Sequence, residues 1–524
     1  MNSSFVDINR NFWSAFPPKK GGKLLLIEEP TISTITHKLG IFSLVLNQAR
    51  GLQPMWLRSR KWPWSIEFLQ SYVSTAEYVT VLPNSLFDRC CILLASGWKF
   101  LVLLCTRDIL GFSYDGVRYG DILYDTYLAD EKVATIRGVR PLMFTIILAC
   151  IRRHRNVRGI LRGGDYAGVL TSHRVSIHSG VLLRCALRYG YEGYVHIGYH
   201  QCTLQRFTKL SDVYIYENAA SPAEIDEILR VFGSDLDVGF ENVFQDHVSG
   251  KGSLDANYAF APENRRYAER ERFHHDFGLK DRRTNVFVML HAFNDFPHSH
   301  FRWMLFRDYY DWMAQTLAFA KACDNVQWIF KQHPSVRMYP TKDISFEAIF
   351  RDAPAHIAYI DENHQIDTRS LIDCADVVIT CLGSVGFELP AMAGIPSVIA
   401  SDTFYIGLGF TVEPKTPREY FDVLGRLDTL GRLTPEQRRR ARAAYMHIYR
   451  ISLRPMAACP RLSYEDQRNP EAQARYWDMV APLYTTKREE ILRNVRDFIG
   501  EVSTSSFRRT NTLQEFHQAF FSKR

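Results

Sequence analysis

Two short stretches of this sequence combine residue types that bind anions. His333 follows an apolar run, Gln327–Lys331, and the turn Gly383-Ser384 follows another, Asp376–Thr380. Short runs rich in Val and Ile are typical of buried parallel strands. Val385–Ala393 then has helical spacing, so backbone N–H groups and the positive end of a helix dipole lie at the glycine-serine turn. This strand-turn-helix pattern predicts a phosphate-binding site.

Neighbouring side chains are suited to hold the rest of a nucleotide. His333 can donate to a phosphate or accept a proton, and the proline after it rigidifies the turn. Glu388 lies one helical turn beyond Ser384 on the same face, where a carboxylate can bind ribose hydroxyls. Lys331 would add positive charge, or would simply end a solvated strand. The alternative for the turn is that Gly383 and Ser384 only cap a helix of an ordinary α/β domain.

The surrounding pattern predicts the domain that positions these residues. From residue 281 to residue 430, apolar runs of strand length alternate with segments of helical spacing. Such alternation predicts a mostly parallel sheet with helices on both faces, and ligands bind at the carboxyl ends of its strands. His291 and Asp295 follow the first of these strands, so they are expected at the same edge. A purely structural role for their turn is an equal interpretation.

A second glycine turn, Arg162–Gly168, is the catalytic candidate of the N-terminal half. Val157–Leu161 is predicted to be a strand that leads into it. Asp165 would then lie at a strand-to-helix turn and act as a base towards an acceptor hydroxyl. Residues beside it, Gly163-Gly164 and Tyr166, would line the acceptor side. The alternative is that Asp165 is only an N-cap.

Two blocks of sequence carry a family resemblance. KQHPS (Lys331–Ser335) followed by ADVVITCLGSVGFELPAMAGIPSV (Ala375–Val398) resembles the C-terminal half of bacterial capsule and surface-polysaccharide glycosyltransferases. The resemblance is to the His-Pro type, which is related to Kdo transferases. The block from His291 to Ala320 is similar to the pattern that precedes the His-Pro in that family. The likeness covers roughly residues 291–424 well and 111–200 more loosely.

The resemblance implies the architecture called GT-B, which has two doubly wound Rossmann-like α/β domains facing a cleft, with C-terminal helices packing back on the first domain. It also implies a nucleotide-sugar donor, a growing capsular polysaccharide or lipid-linked acceptor, and no metal or other cofactor. The histidine pairs His274-His275 and His298/His300 have no carboxylate at ligand spacing, so the sequence itself predicts no metal site.

The resemblance extends to individual site residues. The expected donor site comprises Lys331, His333, Pro334, Ser335, Thr380, Gly383, Ser384, Val385 and Glu388. The candidate catalytic residues are Asp165, His291 and His333, and the candidate acceptor or cleft residues are Gly163, Gly164, Tyr166, Asp295 and His298. The chain departs from the family at Gln332, where relatives often have proline, which loosens the turn. Pro390 requires its helix to be short or kinked.

Length and composition indicate the class of protein. The chain has 524 residues, of which 46% are hydrophobic and 23% charged, and a net charge of +7. These are the values of a soluble globular protein with more than one domain, and the charge is too small to indicate a nucleic-acid binder. The predicted segments are an acceptor-side domain (1–280, with 233–257 as linker or insertion), a donor domain (281–430), C-terminal helices (431–502) and a polar tail (503–524).

Cysteines and apolar runs bear on location. The ten cysteines form no CxxC pair, which is typical of reduced thiols in a cytosolic protein, and we expect no signal peptide. The apolar run Cys90–Cys105 is interrupted by Ser96-Gly97 and Lys99, so it is predicted to be a buried helix followed by a strand. Contact with an anionic inner-membrane surface would be peripheral. The arginines of 438–442 form either a solvated helix face or a contact for anionic lipid or charged polysaccharide.

Two other functions fit the same residues. A nucleotide-sugar 2-epimerase of the same fold would share Ser384 and Glu388 and would convert its nucleotide sugar without an acceptor. A non-catalytic partner would bind nascent polysaccharide or its export machinery and leave the donor intact. The sugar, the linkage and the acceptor are not indicated by any of these residues.

Overall fold

The computed structural model of the chain divides into two compact units. Unit 1 comprises Met1–Thr126, Gly138–Glu217 and Leu453–Thr512, and unit 2 comprises Tyr127–Arg137, Asn218–Ser452 and Leu513–Arg524. The structure describes residues 3–59, 62–81, 85–198, 201–216, 218–251, 259–279, 283–333, 336, 338–362, 364, 366–463, 466–467, 469–504 and 513–522.

Strands and helices alternate along most of the chain. The strands are β1 (Leu24–Ile27), β2 (Gln53–Arg58), β3 (Glu77–Thr80), β4 (Ser113–Tyr114), β5 (Val117–Arg118), β6 (Tyr166–Thr171), β7 (Glu192–Gly198), β8 (Gln201–Phe207), β9 (Asn285–Met289), β10 (Gln327–Lys331), β11 (Ile357–Ile360), β12 (Val377–Thr380), β13 (Ser397–Ile399), β14 (Thr411–Val412) and β15 (Arg454–Pro455). The α-helices are α1 (Ser3–Trp13), α2 (Ser33–Arg50), α3 (Ile66–Gln70), α4 (Leu86–Thr106), α5 (Gly120–Glu131), α6 (Pro141–Arg162), α7 (Val181–Arg188), α8 (Pro222–Phe232), α9 (Leu236–Asp246), α10 (Arg270–Phe277), α11 (Tyr309–Ala322), α12 (Phe346–Phe350), α13 (Ser370–Cys374), α14 (Val385–Ala393), α15 (Pro417–Leu424), α16 (Pro435–Met446), α17 (Pro470–Thr486), α18 (Arg488–Ser503) and α19 (Leu513–Ser522).

The sheet of unit 1 has seven strands in the order β15-β8-β7-β6-β1-β2-β3. The five strands from β7 to β3 are parallel, and β8 and β15 extend one edge in antiparallel pairing. Leu25 and Ile27 of β1 pack with α1, α2 and the C-terminal helices α17 and α18, whereas Leu26 packs with α6 and α7. Helices therefore cover both faces, and the expected packing of C-terminal helices on the first domain is confirmed for α17 and α18.

The sheet of unit 2 has six parallel strands in the order β11-β10-β9-β12-β13-β14. Val286 and Val288 of β9 pack with α11 and α15 on one face, whereas Phe287 packs with α10 and α13 on the other. Such strands read as continuous apolar runs because both of their faces are buried. The prediction of two Rossmann-like α/β domains is confirmed.

The boundary between the units differs from the expected one near residue 280. Residues 218–279 belong to unit 2, because Ile225 of α8 and Phe240 of α9 share a core with Tyr445 and Met446 of α16. Part of the segment 233–257, expected to be a linker, is the helix α9 with a buried apolar side. In the expected polar tail, α19 packs Phe516 and Phe520 against the same core.

The arginines of α16 are not a solvated face. Arg440 forms an ion pair with Asp226 at 2.6 Å, and Arg442 forms one with Asp237 at 2.5 Å. Arg439 donates to the backbone carbonyl of Gly233 at 2.7 Å. These cations hold α16 against α8 and α9, so they do not support the alternative of a lipid or polysaccharide contact on this helix.

Two predicted strands are parts of long helices. The strand expected at the end of the run Cys90–Cys105, residues 99–104, lies in α4, and the strand expected at residues 157–161 lies in α6. In α6 the buried residues recur at helical spacing, as Ile147, Cys150, Ile151, His154, Val157 and Leu161 show. A short apolar run resembles a strand when it is considered without the residues before it, and the longer period decides for helix.

The helix α4 is also not buried. It is long and apolar enough to cross a membrane, and only 17% of its apolar window is buried in the protein. Ile92, Ser96 and Leu103 are its buried residues. The expectation of a buried helix followed by a strand is therefore wrong on both points.

Candidate functional site

The strand order in the sheet of unit 2 reverses between β9 and β12. From β9 the chain adds β10 and then β11 on one side, and it returns to place β12 on the other side of β9. The register aligns Ile379 of β12 with Val288 of β9, so the carboxyl ends of the two strands lie side by side. Ligands of open α/β sheets bind outside the carboxyl ends at such a switch point. The residues after these strands therefore form the candidate site.

His291 and Thr380 join the two strands at the switch point. The Thr380 hydroxyl lies 3.1 Å from His291 Nε2, and the Leu382 N–H donates to the same nitrogen at 3.5 Å. Nε2 thus faces a hydroxyl and a backbone N–H, both of which can donate to it in the neutral ring. The ring stacks on Tyr309, with 4.4 Å between centroids. Burial, together with the nearby His333, lowers the pKa of His291 to about 3, so its imidazole is neutral at neutral pH.

Gly383 is required by the close approach of its turn to Thr380. Its N–H donates to the Thr380 hydroxyl oxygen at 3.1 Å, and a Cβ at this position would lie 2.9 Å from that oxygen and 3.5 Å from the His291 ring. The Tyr405 hydroxyl donates to the Gly383 carbonyl at 2.7 Å. These contacts hold the turn at the end of β12, directly before α14.

The helix α14 contains a proline and is nine residues long, so the expected short helix is confirmed. Pro390 has no N–H for the Gly386 carbonyl, and the Ser397 hydroxyl donates to that carbonyl at 2.6 Å instead. At the start of the helix, the N–H groups of Ser384 and Val385 precede the first intrahelical bonds. Both residues line a pocket, so the positive end of the helix dipole lies at that pocket.

Lys331 ends β10 with a side chain that is almost fully buried, at 8% exposure. Among the residues that the structure describes, no carboxylate pairs with its ammonium group. Burial lowers the pKa of Lys331 to about 8, so most of it is charged at neutral pH. A buried cation without a counter-charge is unfavourable, and an anionic ligand at this edge would supply one.

Gln332 holds its turn firmly. Its side chain accepts a hydrogen bond from the Tyr359 hydroxyl, and its N–H donates to the Ile360 carbonyl at 2.9 Å. Both partners belong to β11, the strand next to β10. These two hydrogen bonds hold Gln332 itself, contrary to the expectation that glutamine in place of proline loosens the start of this turn.

Glu388 lies one helical turn after Ser384 and is buried. The Tyr449 hydroxyl donates to Glu388 Oε1, and His247 Nε2 lies 4.0 Å from the same oxygen. Burial and the neighbouring Glu388 raise the pKa of Tyr449 well above its ordinary value, so the phenol remains a donor. The carboxylate is thereby oriented, and it lines the pocket.

One pocket at the carboxyl edge of the unit 2 sheet brings most of the predicted donor residues together. Its lining includes His291, Lys331, His333, Thr380, Gly383, Ser384, Val385 and Glu388. A buried cation and a helix N-terminus can bind a phosphate, and a fixed carboxylate can bind sugar hydroxyls. The arrangement therefore suits a phosphorylated sugar or nucleotide.

The pocket also contains residues that sequence analysis did not single out. These are His247, Asn264, Asp361, Glu362 and His364, among others. Asp361 and Glu362 follow β11, so the strand-end rule that selected His291 could have found them. His247 and Asn264 come from the segment expected to be a linker or part of the first domain, and no local pattern indicates them.

The second glycine turn lies in unit 1 and is of a different kind. Gly163-Gly164-Asp165 joins the end of α6 to the start of β6 at Tyr166, so it is a helix-to-strand turn. The Asp165 carboxylate is exposed and lies 3.5 Å from the Lys23 ammonium, and its carbonyl accepts from the Leu24 N–H. The turn is thus at the amino end of a parallel strand, opposite the edge where ligands bind. The premise for a catalytic Asp165 and an acceptor-side turn is wrong.

The remaining predicted residues lie outside the pocket or outside the described residues. Asp295 and His298 lie in the turns that follow His291, and neither lines the pocket. Pro334 and Ser335 are not among the described residues. Of the predicted donor-site residues His333, Pro334 and Ser335, the structure therefore describes only His333, which lines the pocket.

Within the described ranges, no group of three or more His, Cys, Asp or Glu residues could hold a metal ion. Asp235-Leu236-Asp237 has the Asp-x-Asp spacing that often binds a metal. Its carboxylates contact other parts of unit 2, because Asp235 lies 3.1 Å from His517 and Asp237 lies 2.5 Å from Arg442. These two carboxylates serve the packing of helices.

No protein-family model matches the chain, and no curated protein matches it. Among solved structures, Thermosulfurimonas dismutans KpsC, a beta Kdo 2,4 transferase, is 13% identical over 56% of this chain and 82% of that chain, with a TM-score of 0.32. The UDP-GlcNAc 2-epimerase of Neisseria meningitidis is 11% identical over 82% and 97%, with a TM-score of 0.24. Acinetobacter baumannii MurG is 12% identical over 88% and 99%, with a TM-score of 0.23. Because these scores are low, a function for the chain has to be inferred from its own sheets and pocket.

Proposed function

We propose that the chain is a glycosyltransferase that moves a sugar from a nucleotide-sugar donor to a growing capsular or other surface polysaccharide or glycolipid. The observation that carries this proposal is one pocket at the β9/β12 switch point, lined by a buried lysine, four histidines, a helix N-terminus and an oriented carboxylate. The class of acceptor rests on the sequence resemblance, and a cytoplasmic site of reaction rests on the cysteine pattern.

Transfer from such a donor leaves negative charge on the nucleotide phosphate, and groups already in place to receive that charge lower the barrier. The N–H groups of Ser384 and Val385 and the Lys331 ammonium would receive it. Glu388, oriented by Tyr449, would accept hydrogen bonds from the ribose hydroxyls. The pocket's own residues thus supply the charge stabilisation that the transfer requires.

His291 and His333 would have different roles. An efficient general base has a pKa near the working pH. The pKa of His291 is about 3, so this histidine is a poor general base at neutral pH. Its contacts with Thr380 and Leu382 instead position the turn that precedes α14. His333 is less buried and lines the same pocket, so it is the better candidate to contact the donor phosphate.

A thermal-shift panel of CMP-, UDP-, GDP- and CDP-linked sugars with the purified full chain tests donor binding. A ligand that binds the folded state raises the apparent unfolding temperature by mass action. We expect one nucleotide class to raise it and Glu388→Gln to remove most of that rise. Glu347→Gln, an exposed carboxylate of α12 in the same unit, is the matched control and should respond like the wild type.

Turnover distinguishes transfer from its two rivals. With the donor identified, product analysis with and without a glycan acceptor should show donor consumption that depends on the acceptor. Conversion of the nucleotide sugar without an acceptor would instead establish an epimerase. Glycan retention with an intact donor would establish a binding partner, and a panel in which no donor shifts the unfolding temperature would overturn the proposal.

A further inference from the structure

We propose that the exposed face of α4 in unit 1 inserts into the surface of an anionic lipid bilayer. Large apolar side chains of this one helix are between 39% and 79% exposed: Leu86, Phe87, Leu93, Leu94, Trp98, Leu101, Val102 and Leu104. Soluble proteins rarely expose a contiguous apolar patch of this kind without a partner for it. The observation is independent of the donor pocket, which lies in unit 2.

The exposed face of α4 carries no charged side chain. Each residue of an α-helix turns by about 100°, and on this basis the exposed apolar residues cover about half of the circumference. The charged residues Asp88, Arg89 and Lys99 lie on the other half, beside the buried residues of the helix. Asp88 pairs with Arg155 of α6 at 3.1 Å. Arg89 is exposed beside the apolar face, and Asp88 and Lys99 are half-buried. An ordinary solvated helix places polar side chains on the side that faces water, whereas the outward side of α4 is apolar.

Contacts at its two ends show that α4 lies along the surface of unit 1. Asp88, near its start, contacts Arg155 near the end of α6. Phe100, near its end, packs on Phe144 near the start of α6, with 5.7 Å between ring centroids. The two helices are therefore antiparallel and in contact over most of their length. A helix held in this way meets a bilayer in the plane of the headgroup boundary, as interfacial helices do.

Cations lie on the helix that packs against α4 and at the end of α4. The neighbouring helix α6 has no acidic residue, and its basic residues are Arg152, Arg153, Arg155, Arg158 and Arg162, of which Arg152 and Arg162 are exposed. Arg107, also exposed, follows the other end of α4. Basic residues beside an apolar face complement anionic lipid headgroups, and Trp98 on that face is a residue type enriched at the boundary. This charge complementarity selects anionic lipid as the occupant.

Flotation of the full chain with vesicles tests the proposal. We expect binding to vesicles of equal parts phosphatidylcholine and phosphatidylglycerol, and much weaker binding to phosphatidylcholine alone. Leu94→Gln with Leu101→Gln changes two exposed side chains and none of the buried ones, and should weaken partitioning by about tenfold or more. The matched control is Val238→Gln with Met479→Gln, at 49% and 40% exposure on other helices, which should bind like the wild type.

Trp98 provides a second readout. Brominated acyl chains should quench more tryptophan fluorescence in the wild type than in Trp98→Phe, because the indole enters the acyl region. Unchanged circular dichroism and unfolding temperature confirm that the variants fold. Equal binding of all variants, or equal binding to neutral vesicles, would overturn the proposal. The proposal would also be overturned if the protein bound no vesicles and formed a dimer that the double substitution Leu94→Gln with Leu101→Gln dissociates.

Discussion

The two sheets of this protein have the same switch point but use it differently. In unit 1 the chain proceeds from β1 to β2 and β3 and returns to place β6 on the other side of β1, as unit 2 does with β9 and β12. After β1, the buried Glu28 carboxylate accepts the Ser172 N–H at 2.7 Å and the Ser179 hydroxyl at 2.6 Å. At the end of β10, which lies next to β9, the buried Lys331 has no counter-charge among the described residues. The buried carboxylate of unit 1 is thus satisfied by its own chain, whereas the buried ammonium group of unit 2 lines a pocket.

The comparison shows that topology selects where a site can form, and side chains decide whether it binds a ligand. Burial raises the pKa of Glu28, yet its oxygens are satisfied by the loop after β6, so its contribution is to stability. The charge of Lys331 is unfavourable in the free protein, so its contribution is expected only when an anion binds. The residues of the two switch points should therefore respond to substitution in opposite ways.

The largest expected effect is on the stability of unit 1. Glu28→Ala leaves the Ser172 N–H and the Ser179 hydroxyl without their acceptor, and we expect a loss of about 2–4 kcal/mol in the free energy of unfolding. Urea unfolding monitored by circular dichroism measures it. Glu77→Ala, an exposed position on β3, is the control and should change little. A loss for Glu28→Ala as small as that of the control would mean that the carboxylate does not organise this edge.

The next effect is on donor binding in unit 2. Lys331→Met should weaken binding of the nucleotide sugar by about ten- to hundredfold, the value of a hydrogen bond to a charged group. The unfolding temperature of the free protein should stay the same or rise, because an unpaired buried cation is removed. Calorimetry with the donor class identified by thermal shift measures the affinity.

Lys321→Met, on the exposed side of α11, is the control for Lys331→Met and should bind the donor normally. A Lys331→Met protein that is destabilised and still binds its donor would reverse the comparison, since Lys331 would then be structural like Glu28.

A smaller effect should appear in the pH dependence. The pKa of Lys331 is about 8 in the folded protein, below its ordinary 10.5. Donor affinity should be steady below pH 8 and fall by up to about tenfold per pH unit above it, as the ammonium loses its proton. Between these two pKa values the unfolded state binds more protons, so this group makes the free protein more stable as the pH rises. Both trends should be absent in Lys331→Met, and a wild-type affinity that is flat up to pH 10 would contradict the role.

The smallest expected effect concerns the helix that carries Glu388. Ser397→Ala removes the donor to the Gly386 carbonyl that Pro390 cannot serve, and we expect a loss of about 1 kcal/mol in the free energy of unfolding. Affinity for the nucleotide sugar should fall only slightly, because Tyr405 still holds the turn before α14. Ser234→Ala, at an exposed position of the same unit, removes the same atom away from this helix and is the control. A loss of stability equal to that of this control would show that the carbonyl needs no protein donor.

Much of unit 2 could be predicted from the sequence. Its strands are buried on both faces, so each reads as a short apolar run. The segments between them have apolar residues at helical spacing. The predicted strand Gln327–Lys331 has the bounds of β10, and Asp376–Thr380 begins one residue before β12. The strand-end rule then places His291, Lys331 and Thr380 at one edge, and these residues do line one pocket.

Unit 1 was harder to predict because its apolar runs belong to helices as often as to strands. Residues 99–104 and 157–161 have strand-like composition, and only the longer helices that contain them, α4 and α6, show that both are helical. Mistaking 157–161 for a strand also reversed the polarity of the turn at Asp165. This one local error placed the Asp165 carboxylate at the carboxyl edge of the sheet, whereas it lies at the amino edge.

The sequence by itself determined the α/β class, the strand ends of unit 2 and the residues that end those strands, because period and residue type are local properties. Only the tertiary structure decided that Glu388 is oriented by Tyr449 and His247, that Lys331 is buried without a counter-charge among the described residues, and that α4 presents its apolar side outward. Each of these depends on which distant segment packs against the residue, and burial and pairing are set by that packing rather than by neighbours along the chain.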